Sequence, residues 1–411
     1  MTAVRLLALA GAAVLLSGQA PPPQDPVAAI KAQLKSVGRD GSGHYTGAGW
    51  DALIADGAGA QFFMVGEQHA TQDIAEIEAA MHATLAKRGY THSALEVGPY
   101  STRHAERLIR SGPGKLQAYI AAPGHAFTLP FLFFAGEAAM AETMVATSPD
   151  RQQALFGLDQ EFVGAGPILA DALRAAASSD AQRKAVTGFA AAVAKDMQLV
   201  GNLTEVDLAP LDAAFKGNAR GTGIIEAMRI SARIYRPFVK GEGSGYLSNL
   251  ERETYMKANF VRDFEAARRR NGKPPKTFFK FGGFHAMRGM SGTNVPALGN
   301  FLAEWGLPQG YRMVNVMVDC IGGEAMNPQT SKAAPCESYF GKDSAIYRAV
   351  AGAGPGVQIV DLRALRPPLR RLTPLDEASK SVILGFDYYV AVHDGRAATF
   401  IGTAPMRVGQ P

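Results

Sequence analysis

Two chemically reactive side chains follow a short apolar run in the first part of the chain. Glu67 and His69 come directly after the run 62–65 and Gly66. Open α/β sheets bind their ligands at the carboxyl ends of the strands, where such residues would lie. In an extended chain, residues two apart point to the same side, so Glu67 would lie beside His69. A carboxylate next to an imidazole fixes the tautomer of the ring and raises its basicity, which suits a general base.

Three further polar side chains end other apolar runs that are typical of strands. They are Glu96 in the run 93–97, Asp159 at the end of 154–159, and His285 after the run 277–281 and two glycines. Since the carboxyl ends of parallel strands meet at one edge of a sheet, we expect these side chains to gather at one site. Two histidines and two glutamates suit acid–base catalysis. The same four residues could alternatively hold a divalent metal ion: Glu67, His69, Glu96 and His285.

A polar segment in the second half of the chain supplies more candidates. Arg252, Met256 and Asn259 are spaced so that they share one face of a helix. Such a helix would pack on the sheet through its methionine and direct the two polar groups into a cleft. Arginine can hold a carboxylate or stabilise an oxyanion, so we expect Arg252 to act in catalysis. We expect Asn259, Asp159 and Tyr255 to contact the substrate.

These side chains need a sheet to position them, and the sequence predicts one. Strand-like runs alternate with helix-like segments, at 62–65, 93–97, 154–159, 277–281, 313–318 and 357–362. This alternation predicts an α/β fold, with a mostly parallel sheet and helices on both faces. The stretch from about 164 to 272 is rich in alanine and has no strand pattern, so we interpret it as a helical insertion that caps the sheet. The whole domain is expected to span 46–411.

The N-terminal segment has the pattern of a signal peptide. Arg5 provides a positive charge, the run 6–16 is apolar, and small residues up to Ala20 offer a cleavage site. We therefore predict a signal peptide over 1–20, a Pro/Gly-rich leader over 21–45, and a periplasmic or secreted protein. The apolar run is short for a membrane span and no cysteine lies near the cut, so no stable membrane anchor is expected. An uncleaved anchor stays open as the alternative.

The composition is that of a globular protein. Of 411 residues, 47% are hydrophobic and 19% are charged, which suits one large domain or two medium ones. The formal net charge of +5 is spread along the chain, apart from the cluster 268–270, and no zinc-finger or RNA-binding pattern occurs. We therefore expect a small-molecule substrate and no nucleic acid partner.

The chain contains two cysteines, Cys320 and Cys336. In an exported protein, such a pair is expected to form a disulfide. Because no histidine stands nearby, a metal–thiolate site is disfavoured.

Four segments together resemble the erythromycin esterase-like superfamily, which includes macrolide esterases and relatives resembling haem-binding iron-regulated proteins. The family pattern has a Gly-Glu…His element after a strand, a glutamate after the next strand, an Arg-Asp/Glu-x-x-Met-x-x-Asn helix, and a late Gly-His element. The matching positions are 66–69, Glu96, 252–259 and 282–285, and 156–159 resembles a further family segment. The resemblance spans about residues 60–290. Macrolide esterases place two residues between the glutamate and the histidine, whereas here only Gln68 intervenes, which is closer to the iron-regulated relatives.

The resemblance implies hydrolysis of an ester or lactone by an activated water molecule, with no cofactor. His69 would be the general base, with Glu67 or Glu96 holding its ring, and His285 and Arg252 would stabilise the oxyanion or protonate the leaving group. The sequence has no Gly-x-Ser-x-Gly elbow, which disfavours a serine nucleophile. Two alternatives remain: hydrolysis that depends on a divalent metal, and a non-catalytic periplasmic protein that binds haem or another small molecule.

Overall fold

The structure is a computed structural model that describes residues 22–327 and 330–402. Its strands are β1 (Leu34–Arg39), β2 (Tyr45–Thr46), β3 (Phe62–Glu67), β4 (Tyr90–Leu95), β5 (Leu155–Gly157), β6 (Lys276–Gly282), β7 (Met313–Cys320), β8 (Glu324–Asn327), β9 (Lys332–Pro335), β10 (Val357–Asp361) and β11 (Tyr388–Val392). Its α-helices are α1 (Pro26–Lys31), α2 (Ala48–Ala58), α3 (Gln72–Ala86), α4 (Pro99–Ser111), α5 (Lys115–Ala121), α6 (Ala135–Thr147), α7 (Gly166–Ala176), α8 (Asp180–Lys195), α9 (Leu199–Asn202), α10 (Glu205–Phe215), α11 (Ala219–Val239), α12 (Gly245–Asn271), α13 (Gly283–Ala286), α14 (Leu298–Gly306), α15 (Ala345–Ala351) and α16 (Glu377–Gly385). The signal peptide predicted for 1–20 lies outside the described residues.

Nine of these strands form one sheet, in the order β2-β1-β10-β11-β7-β3-β6-β4-β5. From β11 to β5 every neighbouring pair is parallel, whereas β2, β1, β10 and β11 pair antiparallel along the other edge. The predicted α/β fold with a mostly parallel sheet is therefore confirmed. The strand β3 lies in the interior of the sheet, between β7 and β6, and its carboxyl end is flanked by the ends of parallel neighbours.

Successive residues of β3 contribute to two apolar layers, because side chains along a strand point alternately to opposite faces. Phe62 and Met64 belong to the layer that contains Phe260 of α12. Phe63 and Val65 belong to the layer on the other face, together with apolar residues of α2 and α3. These four side chains of β3 are fully buried. Since helices cover both faces of the strand, its carboxyl end is where polar groups can meet a ligand.

The segment predicted to be a leader, 21–45, is part of the fold from α1 onward. Ile30 of α1 is fully buried in the same apolar layer as Phe62. The strand β1 pairs antiparallel with β10, with Leu34 opposite Val360. Residues before position 46 therefore contribute to the fold, through the buried Ile30 and through the pairing of β1 with β10.

The stretch from about 164 to 272 contains only helices, α7 to α12. Residues of α7, α8, α10 and α11 share an apolar core of their own, which includes Leu169, Phe189, Leu211 and Ile225. The long helix α12 packs differently, because its Phe260 joins the layer on the sheet. The first half of α12 is thereby held close to the carboxyl edge of the sheet, where polar residues of the helix can reach the strand ends.

The predicted disulfide is present between Cys320, the last residue of β7, and Cys336, which follows β9. It closes the loop that contains the separate two-stranded sheet of β8 and β9. Within the described residues, no helix has the length and apolar character needed to cross a membrane.

Candidate active site

The carboxyl ends of adjacent strands bring the predicted polar residues together. Glu67 is the last residue of β3 and stands in register with Gly282, the last residue of β6. Glu96 follows β4 directly, and Asp159 comes shortly after β5. The three acidic residues are buried. Because buried charges are stable only when they are paired, their partners show how the site is organised.

His69 is held by Glu67. Its Nδ1 lies 2.6 Å from Oε1 of Glu67, so this ring nitrogen donates to the carboxylate and Nε2 is free to accept a proton. Nζ of Lys280 lies 2.5 Å from the same carboxylate oxygen. Burial alone would raise the pKa of Glu67, but the Lys280 ammonium and the His69 hydrogen bond lower it to about 2. Glu67 is therefore ionised at neutral pH, and Glu67 rather than Glu96 holds Nδ1 of the ring.

His285 is held in the same manner by a carboxylate on α12. Its Nδ1 lies 2.6 Å from Oε1 of Glu253, and its Nε2 lies 3.4 Å from Oε1 of Glu96. Burial and the nearby Arg252 lower the pKa of His285, but the charges of Glu96 and Glu253 outweigh both and raise it. The environment of this imidazole therefore favours its protonated form, as a proton donor requires.

Glu96 stands between the two histidines. The backbone N–H of Gly282 donates to its Oε2 at 2.6 Å, and Nη2 of Arg252 donates to its Oε1 at 2.8 Å. Nε2 of His69 lies 3.8 Å from Oε2 of the same carboxylate. Burial would raise the pKa of Glu96, but His285 and Arg252 lower it to about 2. So weak a base is poorly suited to take a proton from water. Glu96 instead accepts hydrogen bonds from Arg252 and Gly282 and faces Nε2 of both imidazoles.

A glycine is required at position 282 because the backbone passes close to the first histidine. A Cβ at Gly282 would lie 2.8 Å from Nε2 of His69 and 3.4 Å from Oε2 of Glu96. The close approach lets the Gly282 N–H reach the carboxylate. In the sequence, Gly282 and Gly283 directly after the predicted strand 277–281 are typical of a backbone that approaches another group closely.

Arg252 is fixed by Asp159 through two hydrogen bonds. Its Nε and Nη2 donate to Oδ1 and Oδ2 of Asp159 at 2.9 and 2.6 Å. Asp159 therefore orients a site residue, and its carboxylate is already used. Asn259 donates from Nδ2 to the backbone oxygen of Leu158 at 2.8 Å, which ties α12 to the chain after β5. Of the three residues predicted to contact the substrate, Asp159 and Asn259 are buried, whereas Tyr255 is half-buried.

Behind Glu67 lies a buried cluster of charges. Nζ of Lys280 contacts Glu67 and Glu137, at 2.5 and 2.8 Å, and Glu78 lies beside them. Burial raises the pKa of Glu137 to about 7, and burial together with the charge of Glu67 raises that of Glu78 well above its ordinary value. The cluster therefore holds one cation (Lys280), one firmly ionised carboxylate (Glu67), one carboxyl group that titrates near neutral pH (Glu137) and a largely neutral Glu78.

Two sets of residues can be considered as ligands for a metal ion, and they differ in how their side chains are already paired. Over residues 22–327 and 330–402, Glu67, Glu78 and Glu137 form the only set of three ligand atoms within 4.8 Å of one another, and Lys280 already bridges two of its members. The four residues that the sequence suggested as alternative metal ligands, Glu67, His69, Glu96 and His285, are arranged differently. Glu67 binds Nδ1 of His69, whereas Glu96 faces Nε2 of that ring and is also bound by Arg252. These residues, with His285, are organised as acid–base pairs.

Sequence reasoning gave no role in this site to four charged residues, although one of them, Glu253, lies in the matched segment 252–259. They are Glu253, Lys280, Glu78 and Glu137. Lys280 carried a visible signal, because it is the one charged residue in the apolar run 277–281. Glu78 carried another, because it lies on the apolar face of α3, four residues after Ile74.

The fold was compared with solved structures, and the sequence with protein families and curated proteins. No family and no curated protein matches the sequence. A protein from Bacillus cereus is similar in structure, with a TM-score of 0.59 and 15% identity over 92% of this chain and 98% of that one. A mutant of an erythromycin esterase in its open conformation has a TM-score of 0.59 and 16% identity, over 86% of this chain and 95% of that one. A succinoglycan biosynthesis protein has a TM-score of 0.56 and 14% identity, over 92% and 98%.

At these identities the likeness concerns the fold alone, and it extends over most of each chain. The resemblance seen in the sequence is thus supported as a distant link. This chain shares its fold with structures that include an erythromycin esterase.

Proposed function

We propose that this chain is an exported hydrolase that cleaves an ester or lactone with an activated water molecule and without a serine nucleophile. The observation that carries the proposal is the pair of carboxylate-bound histidines. His69 and His285 each bind a carboxylate through Nδ1, and each directs Nε2 towards Glu96. One imidazole placed to accept a proton and one placed to donate a proton are what hydrolysis needs.

In the proposed reaction, Nε2 of His69 takes a proton from water as the water oxygen attacks the carbonyl carbon of the substrate. Glu67 stabilises the imidazolium that forms, because it accepts a hydrogen bond from Nδ1. Arg252 stabilises the oxyanion that develops on the carbonyl oxygen. When the bond to the leaving oxygen breaks, His285 donates its proton to that oxygen, and the products are a carboxylic acid and an alcohol.

One further observation supports the substrate class, and another supports the proposed location. The fold is shared with an erythromycin esterase, so esters and lactones are the substrates to test first. The Cys320–Cys336 disulfide suits an oxidising compartment, which agrees with the signal-peptide pattern and supports a periplasmic or secreted location.

The experiment is hydrolysis of a panel of chromogenic esters and macrocyclic lactones by the protein without residues 1–20. The parent is compared with His69→Ala, and His44→Ala serves as the matched control because its side chain is 79% exposed. We expect a loss of at least about 100-fold in kcat for His69→Ala, no loss for His44→Ala, and no effect of a chelator.

The other outcomes discriminate between the remaining hypotheses. Loss of activity in chelator, restored by a divalent metal, would replace the proposal with metal-dependent hydrolysis. No turnover by the parent, together with a Soret band that is shifted from that of free haem and elutes with the protein, would identify a haem-binding protein. Equal turnover by the parent and His69→Ala would refute the role of His69 as the base.

A further inference from the structure

Two residues that adjoin His69, one in sequence and one in space, have a positive φ. Of the described residues other than glycine, four have a positive φ: Ala70, Phe131, Asn294 and Ser331. Ala70, with φ of 72°, follows His69 directly, and Phe131, with φ of 62°, packs against the imidazole. A bulky residue rarely adopts this conformation, and such strain is found where the surrounding structure imposes it, often at functional sites.

The Phe131 ring covers one face of the imidazole. The centroids of the Phe131 and His69 rings are 4.4 Å apart, and the two planes are inclined by 31°. Nζ of Lys280 lies 5.3 Å from the centroid of the same phenyl ring. The phenyl ring therefore touches both the proposed base and the ammonium that keeps Glu67 ionised. No other part of the irregular segment 122–134 reaches this pair through a ring contact in the described structure.

Buried neighbours hold Phe131 in its conformation. Leu129, Leu132 and Phe134 are each at most 3% exposed, so the segment is anchored on both sides of the strained residue. The backbone N–H of Phe134 donates to the Phe131 oxygen at 2.8 Å, which closes a tight turn. The Phe134 ring stacks on Phe400 at 4.9 Å between centroids. The anchors fix the backbone, and the positive φ then directs the phenyl ring at His69.

We propose that Phe131 is a positioning residue for His69, and this inference rests on the proposed function. A single hydrogen bond from Nδ1 to Glu67 leaves the imidazole free to tilt about that bond. The side chain of His69 is 33% exposed, so protein packing on its other sides is incomplete. The phenyl ring removes this freedom and keeps Nε2 directed at the place where water is activated. Effective general-base catalysis depends on such alignment.

The test uses two substitutions at Phe131. Phe131→Asn keeps the backbone, because asparagine adopts a positive φ readily, but removes the ring. Phe131→Tyr keeps the ring and is the conservative control. The proteins are labelled with ¹⁵N-histidine, the His69 signals are assigned by comparison with His69→Ala, and kcat and KM are measured on the ester that the parent cleaves best. Thermal unfolding of each protein verifies that it is folded.

For Phe131→Asn we expect broadened ring-nitrogen signals of His69, because the imidazole then moves about its bond to Glu67, together with a kcat at least about tenfold lower and a KM within about threefold of the parent. Phe131→Tyr should match the parent in every readout. Unchanged His69 signals in folded Phe131→Asn, or a change confined to KM, would overturn the inference. The nitrogen signals need no substrate, so a parent without esterase activity would refute the proposed function while the signals still decide the role of Phe131.

Discussion

Lys280 is the residue on which the buried carboxylates depend most strongly, and its removal should destabilise the protein. Lys280→Met keeps a side chain of similar length but deletes the ammonium that contacts Glu67 and Glu137. The side chains of Lys280 and Glu67 are 5% and 1% exposed, so water cannot replace the lost charge. Removing one partner of a buried ion pair costs about 3–5 kcal/mol.

Proton uptake limits the size of this loss. Without the ammonium, Glu67 becomes neutral by binding a proton, which costs about 1.36 kcal/mol for each pH unit above its ordinary pKa of 4.5. At pH 7 this amounts to about 3.4 kcal/mol. Glu137 adds little, because its pKa of about 7 already makes it partly protonated. We therefore expect the free energy of unfolding to fall by about 3–4 kcal/mol at pH 7.

The loss should depend on pH in a defined direction. In the parent, the pKa of Glu67 is lowered from 4.5 to about 2, so its stabilising contribution is present above pH 4.5 and is lost as the pH falls towards 2. In the variant, the folded protein binds a proton more tightly than the unfolded chain does, so stability falls as the pH rises above 4.5. The difference between the two proteins should therefore shrink to below about 1 kcal/mol at pH 5.

Urea unfolding followed by circular dichroism, at pH 5 and pH 7 with the disulfide intact, measures this difference. Lys276→Met is the matched control, since Lys276 lies on the same strand but donates to the backbone oxygen of Ala58. It should cost less than about 1 kcal/mol. Adding Glu67→Gln to Lys280→Met should recover most of the loss at pH 7. Equal losses at the two pH values, or an equal loss in Lys276→Met, would refute the reasoning.

Three other substitutions test separate parts of the site and fold. Gly282→Ala should lower kcat at least about tenfold, because the new methyl group would lie 2.8 Å from Nε2 of His69; steady-state kinetics with unchanged kcat would contradict this. Glu253→Gln should move the alkaline limb of the pH–rate profile to lower pH, because Glu253 raises the pKa of His285, which must be protonated to donate; an unmoved limb would exclude His285 as the acid. Cys336→Ser should lower the free energy of unfolding by about 3 kcal/mol in urea, and an unchanged midpoint would show that the disulfide contributes nothing.

The parts of the site that lie on strand ends could be predicted from the sequence. Each of Glu67, Glu96 and Asp159 follows an apolar run, and the rule that parallel strands align their carboxyl ends brings them together without knowledge of strand order. The sheet itself was predictable for the same reason, since its parallel strands are buried on both faces and form continuous apolar runs. At the antiparallel edge, β10 was predicted at 357–362, whereas β1 was not, because it is largely exposed on both faces and carries no apolar run. The strand β11 was also not predicted, although all five of its residues are buried.

Apart from Glu67 and His69, which are two positions apart, the partners of the site residues could not be predicted, because the pairs are distant in sequence. Glu253 holds His285 across 32 positions, and Lys280 is further still from Glu137. Local patterns describe which face of a helix is apolar, but they do not state which strand end that face will meet. The assignment of Glu67 rather than Glu96 to Nδ1 of His69 likewise required the positions of both carboxylates relative to Lys280 and Arg252.

A charged residue within an apolar strand or helix nevertheless indicates where a buried site lies. Lys280 in β6 and Glu78 in α3 each interrupt a buried apolar pattern, and a buried ionisable group must either be paired, as Lys280 is, or become neutral, as Glu78 does. Each such residue therefore predicts either a buried partner of complementary charge or a shifted pKa. Here the two meet behind Glu67, and the charge that Lys280 supplies is what allows a buried glutamate to stay ionised and hold His69. The residues that break the apolar pattern are, for that reason, the ones that connect the core of the fold to its chemistry.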